Sequence, residues 1–237
     1  MTIRHDGLQV TWLGYATVRI ETPTGFVAYL DPGRYGVLDD YYARDADLVC
    51  VTNDHHYDSS AIEQVADENA TLVVYENVDA ARIDRDVVPP EELGFPVERV
   101  PDDAHLTVGE AEVWTVPAYN EADGPHTHDD GTPHHAPGFG CGFLLSLADR
   151  TVFWPGDSDA LDGFRELEVS LFLANIGGSI VMDRHEAADL AEALDPDLVL
   201  PVHYDTFEML AADSGAFAAD VAARGVPVVL DERSANQ

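Results

Sequence analysis

The sequence predicts an α+β sandwich of αββα type: two mixed β-sheets flanked by helices, forming one domain over residues 1–237. Three observations lead there. The first third of the chain reads almost entirely as strands, and the rest mixes strands with helices. Several strands are continuous apolar runs, the pattern of strands covered on both faces. No change in composition marks a linker, and a chain of 237 residues that is 46% hydrophobic can build one large core.

Residues 8–13 run into Gly14, and 17–21 alternate with period two, so both read as strands. A third strand over 26–30 ends at Asp31-Pro32. Residues 48–51 form a continuous apolar run, after which Ser59 or Ser60 can cap a helix reaching about residue 67. A strand over 71–75 and a short helix near 78–83 follow, and Pro89-Pro90 breaks the chain. Strands resume at 97–100, 106–108 and 111–117. Residues 120–138 show no periodicity and are rich in Gly, Pro, Asp and His. Loops longer than roughly 12–15 residues are usually functional or disordered, so this one is expected to be a mobile lid. Residues 142–147 and 151–154 form a hairpin, and 169–176 a buried strand. Ala187, Leu190, Ala191 and Leu194 give helical spacing over 183–194. A strand at 198–202, a helix over 207–224 and a short strand at 228–230 close the chain.

The net charge is −33, with 12 basic residues against 45 acidic ones, and there is no lysine. Such acidity repels nucleic acid. It is spread along the chain rather than gathered in a tail, which is the pattern of proteins adapted to molar salt, where the Debye length is roughly 3 Å. We therefore expect a halophilic protein. Cys50 lies inside an apolar strand and Cys141 between two glycines, so neither suggests a disulfide framework, and a reducing cytoplasm is expected. The N-terminus lacks the apolar core of a signal peptide, and no stretch is long and apolar enough to span a bilayer. The expected partner is a small-molecule substrate, with no nucleic acid and no membrane, and with a homo-oligomer open.

Chemistry gathers at strand ends. Asn53-Asp54-His55-His56-Tyr57-Asp58 follows one buried strand, Gly156-Asp157 another, and His203-Tyr204 a third. Imidazoles and carboxylates brought together from distant segments are the donor set of zinc, iron or manganese. No Ser or Cys sits in a nucleophile elbow. Gly177-Gly178 reads as a tight turn that lets backbone approach the site, and not as a phosphate loop, since no helix with a lysine follows.

At this point the chain resembles the metallo-β-lactamase fold superfamily, in a branch similar to ascorbate-phosphate lactonase. The resemblance rests on Trp12-Leu13-Gly14-Tyr15-Ala16-Thr17, Asp31-Pro32, Val116-Pro117-Ala118-Tyr119-Asn120, His135 with Gly138-Phe139-Gly140-Cys141-Gly142-Phe143, Pro155-Gly156-Asp157-Ser158-Asp159, Ile176-Gly177-Gly178 with Met182-Asp183, and Pro201-Val202-His203-Tyr204. These segments occur in the family's order along nearly the whole chain.

The resemblance implies that Asp157 bridges two metals and that His203 is the late ligand. It implies that Asp58 is the aspartate of a His-x-His-x-Asp-His motif, binding the second metal and accepting a proton from water. That motif is irregular here. Aligned from Thr52, Asn53 replaces the first His and His55 supplies the second; aligned from Tyr57-Asp58, Asp54 replaces the first, His56 supplies the second and Ser59 replaces the last. A one-residue insertion makes His55 and His56 rivals for one position, with His56 preferred. Tyr15 stands where the branch has a His, and Asn120 where a middle His ligand is usual, so His135 is expected to swing in from the loop. The candidate ligands are thus His55, His56, Asp58, Asp157, His203, Asp54 and His135, with Asp58 as the catalytic residue and one or two divalent metal ions as cofactor. Zinc is expected, with manganese or iron as alternatives because Asn and Asp ligate through oxygen.

The implied activity is metal-dependent hydrolysis of a small ester, lactone or phosphoester. The nucleophile is hydroxide, formed because a bound metal lowers the pKa of water to about 7. The alternative is a non-catalytic binding protein of the same fold with one metal or none.

Overall fold

A computed structural model describes residues 2–231. The strands form two sheets. The first contains β1 (Thr2–His5), β2 (Leu8–Gly14), β3 (Thr17–Glu21), β4 (Val27–Leu30), β5 (Ala46–Val51), β6 (Ala66–Tyr75) and β7 (Val97–Val100), in that spatial order. The second contains β8 (His105–Val108), β9 (Ala111–Ala118), β10 (Gly140–Leu147), β11 (Arg150–Trp154), β12 (Leu171–Asn175) and β13 (Leu198–Val202), also as sequential neighbours. Each sheet opens as an antiparallel meander and ends in parallel strands. The expected α+β sandwich of two mixed sheets is the observed architecture.

Two of the three described α-helices fill crossovers between parallel strands. Helix α1 (Ser59–Val65) joins β5 to β6, α2 (Arg184–Leu194) joins β12 to β13, and α3 (Ser214–Ala223) follows β13 and packs on α2. Asp183 caps α2 in a reciprocal capping box with Glu186. Parallel pairs need such crossovers, and they leave the strand C-termini on one edge of the sandwich. The core is large: Trp154, Tyr29, Phe143, Phe153 and Phe172 are among the fully buried side chains. No described helix is long and apolar enough to cross a membrane.

Three expectations change. The helix near 78–83 is only a 3₁₀ turn, Ala80–Arg82. The helix expected over 207–224 splits into a 3₁₀ turn, Glu208–Leu210, and α3, because Asp213 caps a fresh start at Ala216 N. The terminal strand reduces to one bridge between Val199 and Val228. Cys50 and Cys141 are both buried free thiols.

Candidate metal centre

The strand ends converge. Asp31 follows β4, Asn53 to His56 follow β5, Asn120 follows β9, Asp157 follows β11 and His203 follows β13. The two sheets are pinned together there by the bridge between Asn53 and Gly140 and by Cys141 N donating to Thr52 O at 3.1 Å. Gly156 turns the chain so that Asp157 enters the gap. A Cβ on Gly156 would lie 2.6 Å from Cys141 O, and its φ of +67° is one that side chains disfavour. Gly177 has a like role: a Cβ there would lie 2.7 Å from His203 O.

Asp157 is the shared member of two donor groups, one with His55 and His135, the other with His56 and His203; the donor atoms within each group lie within 4.8 Å of one another. Its Oδ2 is 3.8 Å from His55 Nδ1, 3.6 Å from His135 Nε2 and 3.4 Å from His56 Nε2. Its Oδ1 is 3.5 Å from His203 Nε2. His56 Nε2 and His203 Nε2 face each other at 3.2 Å. His56, His135, Asp157 and His203 are buried, while His55 is exposed at the mouth.

Second contacts fix the rings. His56 Nδ1 donates to Asp31 Oδ2 at 2.9 Å, which leaves Nε2 as the free donor atom. Asp31 is itself held by Thr52 N and Oγ1 at 2.8 Å each, and by Trp154 Nε1 at 2.7 Å. His135 Nδ1 lies 3.0 Å from both Asn120 Oδ1 and Ile180 O, so its Nε2 faces Asp157. Asn120 Nδ2 in turn donates to Asp159, which also accepts from His126 Nδ1 at 2.6 Å and from Glu121 N. Tyr15 packs its ring 4.6 Å from that of His203 and 5.1 Å from that of His56, closing one side to water.

The electrostatics match a cation site. Burial would raise Asp157, but the surrounding imidazoles of His56, His135, His55 and His203 outweigh it and hold the carboxyl well below its usual range. Burial pushes His203 down to about 4. It also lowers His135. Burial opposes protonation of His56 too, yet Asp157 and Asp31 carry it above its ordinary value. At the centre, the buried atoms Asp157 Oδ1 and His203 Nδ1 have no hydrogen-bond partner among the described residues. An anionic carboxylate among imidazole nitrogens, with a buried oxygen unsatisfied, fits one or two divalent cations as the missing partners.

Several expected ligands fall elsewhere. Asp58 is the N-cap of α1: its side chain accepts from Ala61 N at 3.1 Å, Ser60 Oγ at 2.7 Å and Arg34 N at 3.1 Å. The cap expected at Ser59 or Ser60 is therefore Asp58, and neither donor group includes Asp58. Asp54 turns outward, accepting from Asp79 N at 2.8 Å and pairing with Arg82 at 3.0 Å. His55 and His56, expected as rivals for one position, lie in different donor groups. His135 does swing in, and Asn120 supports it. The expected lid, 120–138, is anchored by buried His126 and His135 and by pairing between Thr127 and Pro133. Asp31 was visible in the sequence as a carboxylate at a strand end, the same signal that marks Asp157, yet its role needed the fold.

Comparison with known proteins agrees with this geometry. Residues 9–203 match the family described as the beta-lactamase superfamily domain, and the chain belongs to that family, with the metallo-β-lactamase fold. A UPF0173 metal-dependent hydrolase of Pyrococcus furiosus is 28% identical over 94% of this chain and 96% of its own length. One from Thermodesulfovibrio yellowstonii is 25% identical over 90% and 85%. Among solved structures, a metallo-β-lactamase fold protein of Bacillus subtilis superposes with a TM-score of 0.68 at 15% identity, covering 95% of this chain and 97% of that one. A metallo hydrolase of Ignicoccus hospitalis gives 0.67 at 18% identity, with 95% of each chain covered.

Proposed function

We propose that the protein is a metal-dependent hydrolase of small esters, lactones or phosphoesters, built on two cation sites that share Asp157. The observation that carries this reading is the placement of Asp157 between two histidine pairs, His55 with His135 and His56 with His203. The relatives named metal-dependent hydrolases support it. Bound divalent cations would polarise a scissile carbonyl or phosphoryl group and acidify water. The nitrogen and oxygen donors suit zinc, with manganese or iron as alternatives.

The chain's own residues do the rest. Asp31 holds His56 in one tautomer, and Asn120 with Ile180 O holds His135. Asn53 Nδ2 donates to Asp157 Oδ2 at 3.2 Å and orients the carboxylate. Tyr15 keeps water from the His56 and His203 side. The exposed edge of His55 leaves the approach for substrate on the opposite side.

One observation favours the non-catalytic alternative: Asp58 is committed to capping α1 and supplies no proton acceptor at the centre. Elemental analysis after purification in molar salt, followed by hydrolysis assays on 4-nitrophenyl acetate and bis(4-nitrophenyl) phosphate, tests both readings. Two metal equivalents with metal-dependent turnover support the hydrolase. No metal uptake supports the alternative. We further propose a cytoplasmic setting at high salt.

A further inference from the structure

In a chain with 45 acidic and 12 basic residues, an arginine without a carboxylate beside it is an exception. The half-buried arginines Arg19, Arg99, Arg150, Arg184 and Arg224 all pair with carboxylates. Arg34 and Arg85 are the two described half-buried arginines that make no ion pair. Both lie beside the metal centre.

Each is fixed by backbone instead of by a countercharge. Arg34 Nη1 donates to His55 O at 2.5 Å, and its guanidinium sits 4.5 Å over the Tyr35 ring. Arg85 Nη2 donates to Tyr57 O at 2.9 Å and Asp54 O at 3.2 Å. The carbonyls that hold both side chains belong to the turn that carries His55 and His56. Both arginines line one cavity of about 360 Å³, together with His55, Phe139 and Arg82. Arg82 is neutralised by Asp54. Asp84 also lines the cavity, but it is exposed and bonds neither guanidinium. Burial and the charge of Arg34 both lower the pKa of Arg85, and they outweigh the Asp58 carboxylate, which caps α1 and acts the other way.

Two immobilised guanidiniums with unused donors form a seat for a planar or tetrahedral oxyanion, which they can grip through paired N–H···O bonds. The volume suits a small molecule. We propose that the substrate carries an oxyanionic group, phosphate or carboxylate, seated on Arg34 and Arg85, with its scissile bond turned toward His55 and the Asp157 centre. This rests on the hydrolase reading and narrows it to anionic substrates.

Calorimetric titration of inorganic phosphate, and separately of acetate, into metal-stripped protein in molar KCl tests the seat without a metal to compete for the anion. Saturable binding is expected, weakened roughly tenfold or more in Arg34→Gln and in Arg85→Gln, the scale of a lost charge-assisted hydrogen bond. Arg44→Gln, at an exposed unpaired arginine away from the cavity, should bind like the parent. Should a Gln variant unfold, Arg34→Lys and Arg85→Lys keep the charge without the fork and should bind with intermediate affinity. Tighter phosphate than acetate binding would assign a phosphorylated substrate, and the reverse a carboxylate.

No saturable binding, or binding that both Gln variants and the Lys variants share with the parent, overturns the inference. A parallel assay of the metal-loaded protein keeps the two readings apart. Turnover of 4-nitrophenyl acetate with Arg-independent anion binding refutes only the seat. Arg-dependent anion binding in a protein that turns over none of 4-nitrophenyl acetate, mono-4-nitrophenyl succinate, 4-nitrophenyl phosphate and bis(4-nitrophenyl) phosphate refutes the hydrolase and keeps the seat.

Discussion

Replacing Asp58 by alanine separates the role its position in the motif implies from the role the structure gives it. The side chain satisfies Ala61 N in the first turn of α1, and Arg34 N in the loop that packs against it. Losing a carboxylate N-cap costs about 1 kcal/mol. The stranded Arg34 N–H, in a half-buried position, adds about 1 kcal/mol. The sum of about 2 kcal/mol corresponds to a fall in Tm of about 4–8 °C for a domain of this size. Asp58→Asn keeps a capping oxygen but cannot accept from both Ala61 and Arg34, so it should recover about half of the loss. Thermal melts in molar KCl, where surface repulsion is screened, read the change, and metal content is measured on the same samples. Metal stoichiometry should match the parent in both variants. If Asp58→Ala kept its Tm and lost one metal equivalent, the capping assignment would be wrong and the ligand role implied by the resemblance would stand.

Other expectations follow from the same geometry. Asp157→Ala should abolish binding of both metals, while His135→Ala and His203→Ala each remove one, as read by metal titration; equal losses in all three would contradict two sites sharing a carboxylate. Asp31→Asn should weaken metal binding about 10–100-fold through the tautomer of His56, with the fold intact by circular dichroism. The metal-free protein should be most stable near the unfolded histidine pKa of about 6.5. Below it, His203 and His135, with folded values lowered, take up protons more readily when unfolded, so stability falls as pH drops from about 6.5 toward 4. Above it, His56 and His126, with raised values, lose the stability they contribute when protonated. Melts that rise or fall monotonically across this range would refute the assignment. Finally, Tm should climb steeply along a KCl series, because the −33 charge repels itself in dilute buffer; a flat series would remove the halophilic reading.

The fold was legible because its signals are local. Period-two and continuous apolar runs mark strands, and α2 announces itself through its apolar stripe. Residues 208–224 were not legible as two pieces, since the break depends on Asp213 finding Ala216 N rather than on hydrophobic spacing. At the site, Asp157 and His203 could be singled out because His203 directly follows a buried strand and Asp157 follows one across the short Pro155-Gly156 turn, so the strand ends place both near the same edge. His135 needed the resemblance, because nothing local places a loop histidine. Asp31 met the same strand-end criterion as Asp157. It contacts the centre only through His56, a pairing across 25 residues that no local pattern encodes.

The irregular segment after β5 has a physical reason for placing adjacent histidines in two different donor groups. His56 N and Tyr57 N both bond back to Asn53 O, at 3.2 and 3.1 Å, so the chain makes a tight turn there. A turn sends successive side chains in divergent directions, and His55 and His56 accordingly join different donor groups around Asp157, one with His135 and the other with His203. Tyr57 is then drawn fully into the core, with its hydroxyl bonded to Val88 O, and that anchor delivers Asp58 to the start of α1 and away from the centre. What reads in the sequence as a damaged motif is thus a reallocation. His56 takes the place beside His203, Asn53 orients the carboxylate, and the turn's freed carbonyls at Asp54, His55 and Tyr57 hold Arg34 and Arg85 at the mouth. Ligand geometry and anion seat are consequences of one turn. A substitution that straightens it, such as deletion of His55, should therefore cost one metal equivalent and the Arg-dependent anion affinity together, and loss of one without the other would show that the two features are independent.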